Sequence, residues 1–219
     1  MGRDSAKIKN LTKAARITKN IFNAVSKKVK PGVRESEITR EIDNIIKKKG
    51  LKPSFRTIVA SGPNAAKPHA KVTERIIKHN DMVVIDFGVI YKSCHSDMTR
   101  TVIIGKIDAK MKKLYKIVET AQRMAIKKIR PGLKISDFVS DIYGYIRKAG
   151  MGKYILHGLG HGIRKKVHEA PRLTEKNRRR LRKGMVITIE PGLYIKQKGG
   201  VRIEDMVLVT EKGPKVLTR

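Results

Sequence analysis

The chain repeats itself. KKVKPGVRESEIT at 27–39 returns as KKIRPGLKISDFV at 127–139, an offset of one hundred residues. The match continues with IIKKKGL at 45–51 against YIRKAGM at 145–151. A repeat on this scale restricts the fold to one built from two similar halves. In each copy, apolar residues at helical spacing lead to a Pro-Gly break. They are Leu11, Ala15, Phe22, Val25 and Val29 in the first copy, and Leu114, Ile117, Ala121, Met124 and Ile129 in the second. A second helix is predicted to begin near Ser36 or Ser136 and to close at Gly50 or Gly150. Strands follow. MVVIDFG at 82–88 and MVITIEPG at 185–192 are apolar, β-branched runs with an acid two residues before a glycine. A second strand then carries another acid, Asp97 in HSDMTRTVIIG and Glu204 in VRIEDMVLVT. The expected architecture is one domain over 1–219, with α/β halves of roughly 1–106 and 107–219 forming a pseudo-twofold sheet covered by helices.

The acids carry the chemistry. Asp86 and Glu190 sit among Val, Ile and Met, where an ionised carboxylate is costly unless paired or metal-bound. One such acid is most simply a salt bridge or a strand end at the surface. Four acids in two matching pairs would need four cations converging on one place, a demand that divalent metal ions meet more simply. Four carboxylates offset two divalent ions, so a bridging hydroxide would leave the centre negative by formal count, which would suit a substrate with a free ammonium group. HGLGHGIRKKVHEAPR adds His157, His161 and His168 within twelve residues, too many to be three separate core histidines. Its glycines lack a GK[ST] ending, so a phosphate loop is a poor fit, and the pattern is not HExxH. His69, in the Gly/Pro-rich loop ASGPNAAKPHA, is a further candidate that alone would be a surface histidine.

Composition excludes several classes. A single cysteine, Cys94, rules out an internal disulfide framework and fits a reducing, cytoplasmic setting. MGRDSAKIKN has no apolar signal core, and MVVIDFGVIY is too short to span a bilayer. The net charge of +32 attracts polyanions, and residues 164–183 alone hold ten cations and two acids. No aromatic interleaving accompanies the basic runs. A solvated basic face is therefore the simpler reading, beside weak association with RNA or another polyanion.

DFG at 86–88, SDMTRT at 96–101, HGLGHG at 157–162, HEAPR at 168–172, EPGLY at 190–194 and VRIEDMVLVT at 201–210 resemble the catalytic domain of Xaa-Pro peptidases, prolidase and aminopeptidase P. The resemblance covers nearly the whole chain. It implies the α+β pita-bread fold, an antiparallel sheet covered by helices, shared with methionine aminopeptidases. It further implies a metallo-exopeptidase removing the N-terminal residue from peptides at Xaa-Pro bonds, with two divalent ions as cofactors. Asp97 and Glu204 would bridge the ions, Asp86 chelate one, and His161 with Glu190 hold the other. Glu190 would also shuttle a proton to the leaving nitrogen. His69 and His168 would steady the tetrahedral intermediate and the proline-side amide. His157, Arg172, Tyr194 and Arg202 match positions lining the substrate pocket, although Tyr194 and Arg202 fit a structural role about as well. Mostly oxygen ligands with one imidazole favour Mn²⁺, Co²⁺ or Fe²⁺, with Zn²⁺ also compatible.

Two features depart from the resemblance. The family's N-terminal domain, which helps dimerise, has no counterpart here, so dipeptide-only specificity and a homodimer both stay open. Arg164, followed by Lys165 and Lys166, replaces a customary glycine and is expected to bring a bulky cation near the site. Methionine aminopeptidase is the nearest alternative, but such enzymes read Glu-His-Thr where this chain has Glu204-Asp205-Met206. A non-catalytic module binding peptide or nucleic acid would have no need of all five ligands.

Overall fold

The computed structural model describes residues 2–219, with side chains from Ser5 onward. The first half runs through helices α1 (Gly2–Ser26) and α2 (Glu35–Lys48), then strands β1 (Lys52–Pro53), β2 (Ile58–Ser61), β3 (Met82–Phe87), β4 (Val89–Tyr91), β5 (Cys94–His95) and β6 (Met98–Ile103). The second half opens with α3 (Ala109–Lys128) and α4 (Ile135–Lys148). It continues through β7 (Gly160–Gly162), β8 (Glu169–Leu173), β9 (Val186–Ile189), β10 (Gly192–Ile195), β11 (Gly199–Arg202), β12 (Asp205–Thr210) and β13 (Gly213–Val216).

The predicted repeat is present in atomic detail. Gly32 N–H bonds Ile77 O as Gly132 N–H bonds Leu181 O, and Glu35 N–H bonds Arg75 O as Ile135 N–H bonds Arg179 O. Gly50 and Gly150 end their helices with φ of 66° and 77°, left-handed backbone that a Cβ would penalise. Each half then builds the same antiparallel core, ordered β2-β3-β6 and β7-β9-β12. The expected single sheet is divided into four hydrogen-bonded groups, and backbone bonds such as Glu204 N–H to Thr99 O span the seam.

Each half has its own apolar core. Ile21, Ile38, Ile42, Ile46, Ile85 and Phe87 pack together in the first, and Leu114, Phe138, Ile142, Ile187 and Val207 in the second. A third cluster sets Leu11 and Ala15 of α1 against Ile163, Met206 and Leu208, so α1 also packs on the second half. Two helix positions differ from expectation: Phe22 and Met124 are only partly buried, while Ile21 and Ala125 are fully covered. A helical stripe drifts along a real helix, and the neighbour on the buried side takes the core place.

The basic run at 176–183 lies on the surface apart from Leu181 and the half-buried Asn177. No helix among the described residues is long and apolar enough to cross a membrane.

Candidate metal centre

Asp86 lies inside β3, facing Thr99 of β6 and Ile58 of β2. The other three acids do not lie within strands, contrary to the expected strand-borne pairs. Asp97 precedes β6, Glu190 follows β9, and Glu204 occupies the gap between β11 and β12. A strand end frees a side chain from strict up-down alternation, which lets acids from separate strands turn toward one place. Backbone bonds fix these ends: Glu190 N–H reaches Leu159 O and Glu204 N–H reaches Thr99 O.

The glycines around His161 are packing devices. A Cβ on Gly160 would meet Thr188 O at 2.0 Å. The close approach seats β7 against β9 and places His161 beside Glu190. His161 Nε2 stands 3.3 Å from Glu190 Oε1 and 3.7 Å from Asp97 Oδ2. Its Nδ1 faces Gly162 O at 3.1 Å, which fixes the proton on Nδ1 and leaves a lone pair on Nε2. Ligand atoms of Asp97, His161 and Glu204 all lie within 4.8 Å of one another.

All five expected ligands line one cavity of about 460 Å³, together with His69, His157, His168, Arg172 and Arg202. His168 packs edge-on to His161 with ring centroids 4.5 Å apart. His69 and His168 are exposed at the cavity, as is Arg172. Tyr194 is buried, and its hydroxyl meets His157 Nε2 at 2.7 Å. Arg202 is 4 % exposed and donates to Asp86 Oδ2, the Tyr194 hydroxyl, Pro68 O and Thr99 Oγ1. These bonds give Tyr194 and Arg202 structural partners, while Arg202 also lines the cavity. Arg202 also places a positive charge in the centre that a count of carboxylates alone omits, so the negative excess expected to attract an ammonium group is smaller. Arg164 turns away from the site. It is half exposed and lines a different cleft with Lys7, Arg182 and Met185, so no bulky cation enters the cavity there.

Two threonines outside the expected set complete the centre. Thr99 Oγ1 donates to Glu204 Oε2, and Thr188 Oγ1 donates to Glu190 Oε1 while accepting from His161 N–H. Thr99 lies two residues after Asp97, and Thr188 two before Glu190. The two-residue strand period was the signal available for both.

The donor set fits divalent cations. Asp86 Oδ1 and Glu204 Oε1 are buried without a hydrogen-bond partner, the signature of groups awaiting a cation. Burial, with the Glu204, Asp86 and Glu190 carboxylates nearby, pushes Asp97 well above the usual carboxylate range. Burial likewise raises Glu204, reinforced by Glu190 and Asp86. Glu190 is pushed up to about 7 by burial, against the lowering pull of Arg202. Burial lowers His161 to about 4 and keeps it neutral, as a ligating imidazole must be.

Ligation requires ionised carboxylates, so protons compete with metal and affinity must rise with pH. Calorimetric titration with Mn²⁺ is expected to show binding at least about tenfold tighter at about pH 8 than at about pH 6. Equal affinities at the two pH values would contradict the crowded-carboxylate account.

Known proteins share this fold. An Xaa-Pro dipeptidase of Pyrococcus furiosus is 40% identical over 213 residues, covering 97% of this chain and 61% of the relative. The solved prolidase from Pyrococcus furiosus superposes with a TM-score of 0.95 at 40% identity, over 98% of this chain and 64% of that one. An Escherichia coli aminopeptidase P solved in complex with substrate superposes at 0.89 with 29% identity, over 97% and 55%. The fold is therefore the pita-bread fold, α+β as expected. The chain spans about three fifths of the length of the curated dipeptidases it matches. Residues 9–211 match the profile of metallopeptidase family M24, and the chain belongs to that family.

Proposed function

We propose that residues 1–219 form one catalytic domain of a dinuclear-metal aminopeptidase that cleaves after the N-terminal residue of Xaa-Pro peptides. The observation that carries this reading is the convergence of Asp86, Asp97, His161, Glu190 and Glu204, with two buried carboxylate oxygens left unpartnered. Asp97 and Glu204 would be shared by the two ions, Asp86 would help hold one, and His161 with Glu190 would hold the other. Mn²⁺, Co²⁺ or Fe²⁺ suits this oxygen-rich set, and Zn²⁺ is compatible with it. When bound, such a pair supplies Lewis-acid polarisation of a carbonyl and a water acidified toward neutral pH.

The chain's own residues do the rest. Glu190 can take a proton from the attacking water and return it to the departing nitrogen. His69 and His168 stand at the cavity mouth, where their N–H groups can meet oxyanion charge or the proline-side amide. Arg172 and His157 line the peptide's path. Arg202 and Tyr194 hold Asp86 and His157 in place. Burial keeps His157 neutral at about 4, helped by the nearby Arg202 charge. The buried, unpaired Cys94 fits a reducing, cytoplasmic setting.

A peptide panel tests the substrate. With Mn²⁺ present, release of alanine from Ala-Pro or Ala-Pro-Ala is expected to exceed release of methionine from Met-Ala-Ser. Preferential release of methionine would transfer the chain to methionine aminopeptidase chemistry. Relatives named Xaa-Pro dipeptidase, and Glu204-Asp205-Met206 in this chain, support the proline reading.

A further inference from the structure

The two halves differ in charge at a buried position that the metal chemistry does not use. Position 135 of the repeat is isoleucine, fully buried in the second core. Its counterpart one hundred residues earlier is Glu35, also with no exposed surface. A carboxylate in an otherwise apolar place must be satisfied by hydrogen bonds, and Glu35 is. Oε1 accepts from Ser61 N–H and Ser61 Oγ, both at 2.7 Å, and from Asn64 Nδ2 at 3.1 Å. Oε2 accepts from Thr73 Oγ1 at 2.6 Å, Thr73 N–H at 3.2 Å and Asn64 Nδ2 at 3.2 Å. All these donors are neutral, and all belong to one loop.

That loop runs from Ser61, the last residue of β2, to Thr73; it is the first part of the connection to β3 and carries Pro68 and His69 to the cavity. Pro68 O accepts from Arg202 Nη1, the same guanidinium that holds Asp86. The equivalent connection in the second half, from β7 to β9, carries His168 and is held by β8 pairing with β7. The first-half loop contains no strand but a short 3-10 helix, Gly62–Ala66; Arg75 Nη1 also donates to Ser61 Oγ at 2.6 Å, and an isolated bridge at Ile76 lies beyond the loop's end. Where one half uses a strand ladder, the other uses a carboxylate.

We propose that Glu35 is a positioning residue that clamps the two ends of the 61–73 loop and thereby holds His69 and the Pro68 carbonyl at the cavity. The catalytic part of this proposal rests on the peptidase reading above; the clamp itself does not. Glu35→Gln preserves the shape but replaces an acceptor oxygen with a donor that faces donors. In the metal-loaded protein, hydrogen exchange followed by mass spectrometry is expected to speed up in 62–72 while β3 and β9 stay protected. At a temperature where both proteins are folded, kcat/KM for Ala-Pro-Ala is expected to fall about 10–100-fold, the size expected of a misplaced catalytic group. Metal content should be unchanged. The Glu35→Gln/His69→Ala double variant should be little slower than His69→Ala alone, because the clamp acts largely through His69.

Unchanged exchange in 62–72, or single losses that multiply in full, would overturn the proposal. If Glu35→Gln does not fold, Thr73→Val removes one hydroxyl from the same clamp and undergoes the same comparisons. Should the wild-type protein leave Ala-Pro-Ala uncut, the peptidase reading fails while the exchange measurement still decides the clamp.

Discussion

Glu190→Gln is expected to slow peptide hydrolysis by orders of magnitude while making the metal-free protein more stable at alkaline pH. Glu190 has an ordinary value of 4.5 and is raised to about 7 by burial. Below about pH 4.5 the carboxyl is protonated in both folded and unfolded states and contributes nothing. As pH rises through about 7, the folded state must ionise a group that the unfolded chain ionised far more readily. Each tenfold difference in acidity between the two states is worth about 1.4 kcal/mol, so the full penalty approaches about 3 kcal/mol above that range. Glutamine never ionises. The variant's melting temperature should exceed that of metal-free wild type by about 6–12 °C at pH about 8 and barely differ at pH about 4. Its kcat should fall by about 10²–10⁴, the range of a general acid–base group, with the lost ligand adding to that. Thermal scans at both pH values check the stability claim. A variant less stable than wild type at pH about 8 would show that Glu190 is not under strain without metal.

Arg202→Met, which removes the guanidinium and its charge, should act in the opposite sense. The guanidinium serves Asp86, Tyr194, Pro68 O and Thr99 at once. Removing one partner from a buried ion pair destabilises by about 3–5 kcal/mol because the other charge is left without compensation. Here the loss also removes positive charge from a cluster of four carboxylates. Denaturant unfolding is expected to show that loss in metal-free protein and a smaller one with metal bound. If instead Arg202 contacts substrate without holding Asp86, stability will be unchanged and only KM will rise.

Much of this was legible in the chain, for reasons that can be named. The Pro-Gly repeat forecast both helix pairs and the matching strands because local backbone bonds at Gly32 and Gly132 are the same. The five candidate side chains were visible because acids amid apolar runs and a cluster of histidines call for a cation, and the structure brings them into one cavity. Strand ends were not legible: VRIEDMVLVT reads as one run, yet the chain breaks at Ile203–Glu204 to turn that acid inward. For Arg202 the sequence left pocket and structural roles balanced, and only tertiary packing shows it buried on Asp86. Glu35 sits in a charged stretch, RESE, where nothing in the sequence marks one glutamate as buried and another as exposed. Arg164 was misplaced because a residue's distance from His161 along the chain does not say which side of β7 it faces.

The central claim is that these five side chains hold a pair of divalent ions, with Asp97 shared between them. Metal analysis of protein equilibrated with Mn²⁺ and freed of excess, wild type beside Asp97→Ala, tests it most directly. The account predicts two ions per chain in the wild type, and in the variant a loss of at least one ion together with the loss of Ala-Pro cleavage. Undiminished metal content and activity in Asp97→Ala, or a wild type that binds no metal, would contradict it.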